Sequence, residues 1–254
     1  GVPPDYFSKT GQLWGNPIYN WDVLKKTDYQ WWMERIRHNL NLFDMVRIDH
    51  FRGLVKYWQI PADEKTAVNG KWMPGPGEEF FRVLFKNFPN AKLLAEDLGF
   101  ITPDVRNLIK KLNLTSMKIL LFAFGDDRGK SVHYPHNYTE NCFVYTGTHD
   151  NNTIKGWFRN EVTPEKRKNI FRYLGKKISV TDLNWELIRL AMASVARTAV
   201  FPMQDILNLD AENRMNNPAR RRGNWQWRLM KGQIGRQIID KLANMTKFYG
   251  RAFC

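Results

Sequence analysis

Residues 91 to 104 read Ala91-Lys92-Leu93-Leu94-Ala95-Glu96-Asp97-Leu98-Gly99-Phe100-Ile101-Thr102-Pro103-Asp104. An apolar run of strand length ends in two acids, Gly99 breaks it, and a helix start follows. Thr102 stands as N-cap, Pro103 at the first helical position and Asp104 in the first turn. Outward from this stretch the same order recurs. Residues 43–48 form a short apolar run ended by Asp49, and residues 117–124 a run closed by Gly125-Asp126-Asp127. Residues 141–146 end in Gly147-Thr148-His149-Asp150, and residues 198–203 end in Gln204-Asp205. Between and beyond them lie helical patterns: 29–43, with Trp32, Ile36, Leu40 and Phe43 at helix spacing, a basic stretch after Pro164, 185–196 and an amphipathic 232–249.

Strands alternating with helices predict parallel βαβ units and the α/β class. A doubly wound sheet also gathers its site at strand C-termini, but no glycine-rich phosphate loop follows any of these strands. The expectation is therefore a (β/α) TIM-type barrel. About five core strands can be placed where a closed barrel has eight, so the barrel is expected to be partial, about strands 4 to 8, in one catalytic domain over residues 1–254. Residues 2–7 and 54–60 read as loop or rim, and no repeat or low-complexity linker is found. The chain opens at Gly1, inside what reads as a loop and without an initiator Met, which points to a fragment or trimmed chain.

The composition, 43% hydrophobic and 14% aromatic over 254 residues, is that of a globular chain with a sizeable core. No apolar run approaches the roughly 20 residues of a membrane span, and the start has no signal-peptide pattern. No membrane partner is expected. Cys142 and Cys254 give neither a disulfide framework nor metal spacing, so a reduced, cytoplasmic setting is the natural reading. The formal charge of +14 invites a nucleic-acid partner. The cations are, however, spread over helical segments, with one dense run at Arg220, Arg221 and Arg222. Zinc-finger and RNA-recognition patterns are absent. The charge is read as solvated faces, and no nucleic acid is expected.

Three acids at strand ends, Asp49, Glu96 and Asp150, suit glycosyl transfer with retention. That chemistry needs one carboxylate nucleophile and a second carboxyl that serves as acid and then as base. Arg47, two residues before Asp49 on a strand, points to the same side and favours the ionised carboxylate. Glu96 follows Leu93-Leu94-Ala95, where desolvation would hold its proton. Acids at strand ends also form ion pairs and caps, and this pattern alone leaves both readings open. Sugars stack on aromatic rings; Tyr6 and Trp14, in the opening loop, are the expected sugar contacts. Trp31 and Trp32 read as core. No cofactor and no metal is implied, since two carboxyls suffice and no calcium-loop spacing occurs.

Several segments together resemble glycoside hydrolase family 77. They are Asp44-Met45-Val46-Arg47-Ile48-Asp49-His50-Phe51-Arg52-Gly53, Leu94-Ala95-Glu96-Asp97-Leu98-Gly99 and Tyr145-Thr146-Gly147-Thr148-His149-Asp150-Asn151-Asn152-Thr153. The opening loop to Pro17 and the elements Pro202-Met203-Gln204-Asp205, Arg214-Met215-Asn216 and Gly223-Asn224-Trp225-Gln226-Trp227-Arg228 fit in the same order. The resemblance implies a 4-α-glucanotransferase acting on α-1,4-glucans and maltooligosaccharides, with Asp49 as nucleophile, Glu96 as acid/base and Asp150 as transition-state stabiliser. It implies sugar contacts from Arg47 and His149, and from Gln204 and Asp205 unless these simply order the last loop. The chain departs from the family at Ala219 and the arginines after it, and at Asp210, where a glycine is usual. The family's first strands are not in this sequence, and the site is expected to need them. A non-catalytic partial barrel and an α-glucan hydrolase remain the alternatives.

Overall fold

The computed structural model describes residues 1–4, 8–125, 129–218 and 220–252. Two compact units emerge, Gly1–Ser116 and Met117–Cys254; Tyr6 and Cys254 lie outside the described residues. The class is α/β, with mixed helices and small sheets.

In the first unit, α1 (Trp21–Lys26) starts under the side chain of Asn20, which accepts from the Val23 N–H at 3.2 Å. Then α2 (Gln30–Leu42) leads into β1 (Val46–Ile48), and a hairpin of β2 (Lys56–Gln59) and β3 (Lys71–Pro74) follows. The unit continues through α3 (Gly77–Asn87), β4 (Leu93–Ala95) and α4 (Pro103–Lys111). β1 and β4 pair in parallel, with Arg47 opposite Leu94 and Ile48 opposite Ala95. Beyond β4, the Ala95 N–H donates to the Thr115 carbonyl at 2.8 Å. The core beneath this sheet is aromatic. Phe80 and Phe81 are fully buried, and Tyr29 and Phe51 each meet one of them edge-on or tilted at about 5.5 Å.

The second unit carries β5 (Ser116–Ile119), β6 (Cys142–Tyr145) and β7 (Thr198–Val200) in that order in one sheet, with β6 and β7 parallel. Its helices are α5 (Ile154–Asn160), α6 (Pro164–Leu174), α7 (Leu183–Ala193), α8 (Met203–Ile206) and α9 (Arg236–Phe248). α5 and α6 are each capped by a threonine whose side chain accepts a backbone N–H: Thr153 from Gly156 and Thr163 from Lys166. Ile188 and Ile206 pack with the face of α9 that carries Leu242.

The strands are shorter than the apolar runs. After Ile119 the backbone turns into a 3-10 helix over Leu120–Phe122 in place of continuing to 124, and Phe43 serves as the exposed C-cap of α2. Residues 54–60, read as loop or rim, hold β2. Trp31, read as core, is 50% exposed, whereas Trp32 packs against the core. Thr102 makes no N-cap bond; its hydroxyl donates to Asp104 instead. No helix among the described residues is long and apolar enough to cross a membrane.

Candidate active site

β1 and β4 end side by side, and their registered ends bring Asp49 and Glu96 to the same edge of the sheet. The chain crosses between them through hydrogen bonds. The Glu96 N–H donates to the Ile48 carbonyl at 3.0 Å, and the Phe51 N–H donates to the Glu96 carbonyl at 3.2 Å. Asp49 projects into solvent and forms an ion pair with Arg47, as the i, i+2 spacing predicts. Glu96 is the opposite case. Its Oε2 accepts from the His50 N–H at 2.7 Å and its Oε1 from the Leu98 N–H at 3.1 Å. Burial raises its pKa to about 7, with the charge of Asp49 adding to the effect; the two N–H donors and Arg47 oppose it. Two carboxyls at one sheet edge thus occupy unlike environments, one solvated and ion-paired, the other dehydrated and proton-retaining at neutral pH.

His50 sits between them and was not singled out from the sequence. Its φ of 44° is left-handed, a conformation that costs energy without a glycine. That bend is what aims its N–H at Glu96. Its ring is kept neutral, with the pKa pushed down to about 4 chiefly by burial. Trp14, 42% exposed, packs edge-on against the His50 ring at 4.9 Å. Both residues line a cavity of about 590 Å³ together with Arg47, Asp49, Tyr57 and Trp58. Trp32 Nε1, Arg47 Nε and His50 Nε2, on three residues lining this cavity, are buried without hydrogen-bond partners. The signal for His50 was its place directly after the acid; its strained backbone has no sequence signature.

In the second unit, the segment after β6 forms a turn. Asn151 Oδ1 accepts from both the N–H and the hydroxyl of Thr148, at 2.8 and 2.9 Å. Asp150 follows His149, whose Nε2 is 3.4 Å from Asp150 Oδ2. Asn216 Nδ2 donates to Asp150 Oδ1 at 2.5 Å, and its N–H donates to the His149 carbonyl at 3.1 Å. Asn216 therefore orients both residues, a role invisible across 66 positions of sequence.

Gln204 and Asp205 are buried, at 5% and 2% exposure. The Asp205 carboxylate accepts from the Thr146 hydroxyl at 2.6 Å and from the Ile154 N–H at 2.8 Å, while Asn184 binds its carbonyl. Gln204 Nε2 donates to the Asn213 carbonyl at 3.2 Å. Of the two roles open to this pair, the geometry matches loop ordering: Asp205 ties the end of β6 to the start of α5. Burial raises its pKa to about 6 despite those two donors. Among the described residues, no group of three or more His, Cys, Asp or Glu is placed to hold a metal ion.

A family model described as 4-alpha-glucanotransferase, glycoside hydrolase family 77, matches residues 1–233. The 4-alpha-glucanotransferase of Aquifex aeolicus is 49% identical over 252 residues, which are 99% of this chain and 51% of that protein. That of Synechocystis is 50% identical, over 99% of this chain and 50% of that protein. The solved amylomaltase from Streptococcus agalactiae in complex with acarbose superposes with a TM-score of 0.94 at 41% identity, covering the whole of this chain and 51% of that one. The chain spans about half the length of the curated relatives it matches. With a family model over most of its length, and with Asp49 and Glu96 directly after β1 and β4 and Asp150 in the turn that follows β6, the chain belongs to glycoside hydrolase family 77, the 4-alpha-glucanotransferases.

Proposed function

We propose that this chain is the catalytic part of a retaining 4-α-glucanotransferase that moves α-1,4-glucan segments to the 4-hydroxyl of an acceptor glucan or glucose. The observation that carries this reading is the contrast between the two carboxyls at the β1–β4 edge. Asp49 is exposed and paired with Arg47, while Glu96 holds a proton to about pH 7. Asp49 attacks the anomeric carbon as Glu96 gives its proton to the departing glycosidic oxygen, which leaves a covalent glucosyl ester. Glu96, now ionised, takes the proton of the acceptor's 4-hydroxyl, whose oxygen displaces Asp49. The elevated pKa suits a group that must donate and then accept near neutrality.

Asp150 and His149, oriented by Asn216, hold hydroxyls of the distorted sugar and tighten in the transition state. Arg47 pairs with Asp49 and orients its carboxylate, and the unpartnered nitrogens of Arg47 and His50 face sugar hydroxyls. Trp14 and Tyr6 stack on the glucan. Gln204 and Asp205 act through loop order. The reading treats residues 1–254 as one cytoplasmic catalytic segment, about strands 4 to 8 of a (β/α) barrel, that needs no cofactor and no metal. Its substrates are α-1,4-glucans and maltooligosaccharides. In keeping with this, β1 pairs on one side only, with β4, among the described residues; the family's first strands would occupy the other edge and complete the donor pocket.

The test is product analysis of a complete enzyme carrying this segment with maltotriose. The expected outcome is a ladder of longer maltodextrins together with glucose. Products confined to shorter sugars would establish hydrolysis instead.

A further inference from the structure

Resting on the glucan reading above, we propose that Arg220, Arg221 and Arg222, just before the turn at Gly223-Asn224, form a subsite for phosphate-bearing α-glucan, in which they hold a phosphate monoester attached to a glucosyl unit.

The loop is built to present its tip. The Asn217 N–H donates to Asn224 Oδ1 at 2.9 Å, and Asn224 Nδ2 returns to the Asn217 and Arg220 carbonyls at 3.3 and 2.8 Å. The Trp225 N–H closes the base on the Met215 carbonyl at 2.7 Å. The base is joined to the candidate site directly. Asn216 binds Asp150 and His149, and Arg214 Nε donates to the Asn216 carbonyl at 2.7 Å. Three exposed arginines therefore stand a few residues from the groups proposed to hold the sugar.

Three other arginines of this unit pair with acids, Arg159 with Asp210, Arg189 with Glu186 and Arg236 with Asp240, while the guanidinium groups of Arg214, Arg228 and Arg251 bind backbone carbonyls. Among the described residues, the guanidinium groups of Arg220, Arg221 and Arg222 have no such partner. Three adjacent unneutralised cations repel one another, and a dianionic phosphate accepting planar, forked N–H pairs is the ligand chemistry that relieves this. A neutral glucan cannot. The neighbouring side chain specifies what carries the phosphate. Trp225, 54% exposed and with a φ of 63°, lies 5.2 Å from the His149 ring and offers a face to a sugar.

The experiment compares binding of maltoheptaose and of maltoheptaose carrying a 6-phosphate monoester to a complete enzyme carrying this segment, made inactive by Asp49→Ala, by calorimetry. Inorganic phosphate and a single-stranded oligonucleotide serve as further probes, and the variant is R220Q/R221Q/R222Q with its fold checked by circular dichroism. The phosphorylated sugar is expected to bind about tenfold tighter than the neutral one. That advantage should vanish in the variant and in 1 M salt, where screening reaches down to about 3 Å, while neutral maltoheptaose binds both proteins alike. Equal affinity for the two sugars would overturn the subsite and leave the glucan reading intact. Tighter binding of the oligonucleotide, or of inorganic phosphate alone, would overturn it in favour of a general anion patch. Failure to bind either sugar would count against both readings.

Discussion

Replacing Asp49 with asparagine should move the titration of Glu96, and the direction and limits of that movement follow from the structure. Glu96 is raised from 4.5 to about 7, with burial the first cause and Asp49 the second. Asp49→Asn removes the second cause only, so the midpoint should fall below 7 yet stay above 4.5. Arg47→Gln removes a cation that favours the ionised form, so it should move the midpoint the other way. The raised value is also a statement about stability. Below pH 4.5 folded and unfolded chains both hold the proton; between 4.5 and 7 only the folded chain does; above 7 neither does. Glu96 thus stabilises the fold in acid, and that contribution is lost as pH rises through this window, at roughly 1.4 kcal/mol per unit and about 3 kcal/mol in all. The assay is carbon-13 NMR of labelled glutamate carboxyls, with urea unfolding at pH 5 and pH 8 for wild type and Glu96→Gln. The neutral pKa-shifted histidines and Asp205 titrate in both proteins, so the difference between their pH dependences isolates Glu96. A wild-type midpoint near 4.5, or a midpoint indifferent to Asp49→Asn, would refute the reasoning.

Two further outcomes are expected. Gly156→Ala, a change that ordinarily stabilises a helix, should here cost about 1–3 kcal/mol in urea or thermal unfolding, because a Cβ would lie 2.4 Å from Asn152 Oδ1 and 2.8 Å from the Ala211 Cα. Residues 1–254 expressed alone should lack appreciable maltotriose disproportionation, since among the described residues β1 has one unpaired edge and carboxyl placement must hold to about half an ångström; robust activity from a monodisperse monomer would show otherwise.

The acids were legible because each follows an apolar run short enough to be a strand, and a carboxylate there has nowhere to go but the strand's end. Arg47 was legible from the two-residue period. What escaped the sequence depends on partners far along the chain. The β2–β3 hairpin joins Trp58 to Trp72 across fourteen positions, their rings 5.1 Å apart, without strict alternation or a short turn signal between them. α3 went unplaced although its Phe80, Phe81 and Leu84 are fully buried, because its cap is a proline and not a polar side chain. Asp205 reads as a polar rim residue until Thr146 and Ile154 close over it. Trp31 and Trp32 are neighbours of identical composition, and only the phase of α2 sends one into the core and the other to the surface.

The central claim is that Asp49 carries the glucan while Glu96 moves the proton. It is tested most directly by trapping the intermediate in a complete enzyme bearing this segment, using Glu96→Gln to slow turnover and a 5-fluoro-glucosyl fluoride as donor, followed by peptide mass spectrometry. The account predicts a fluoroglucosyl adduct on the peptide that contains Asp49 and none after Asp49→Ala. An adduct on Asp150, or turnover of the donor with no adduct and an inverted product, would contradict it.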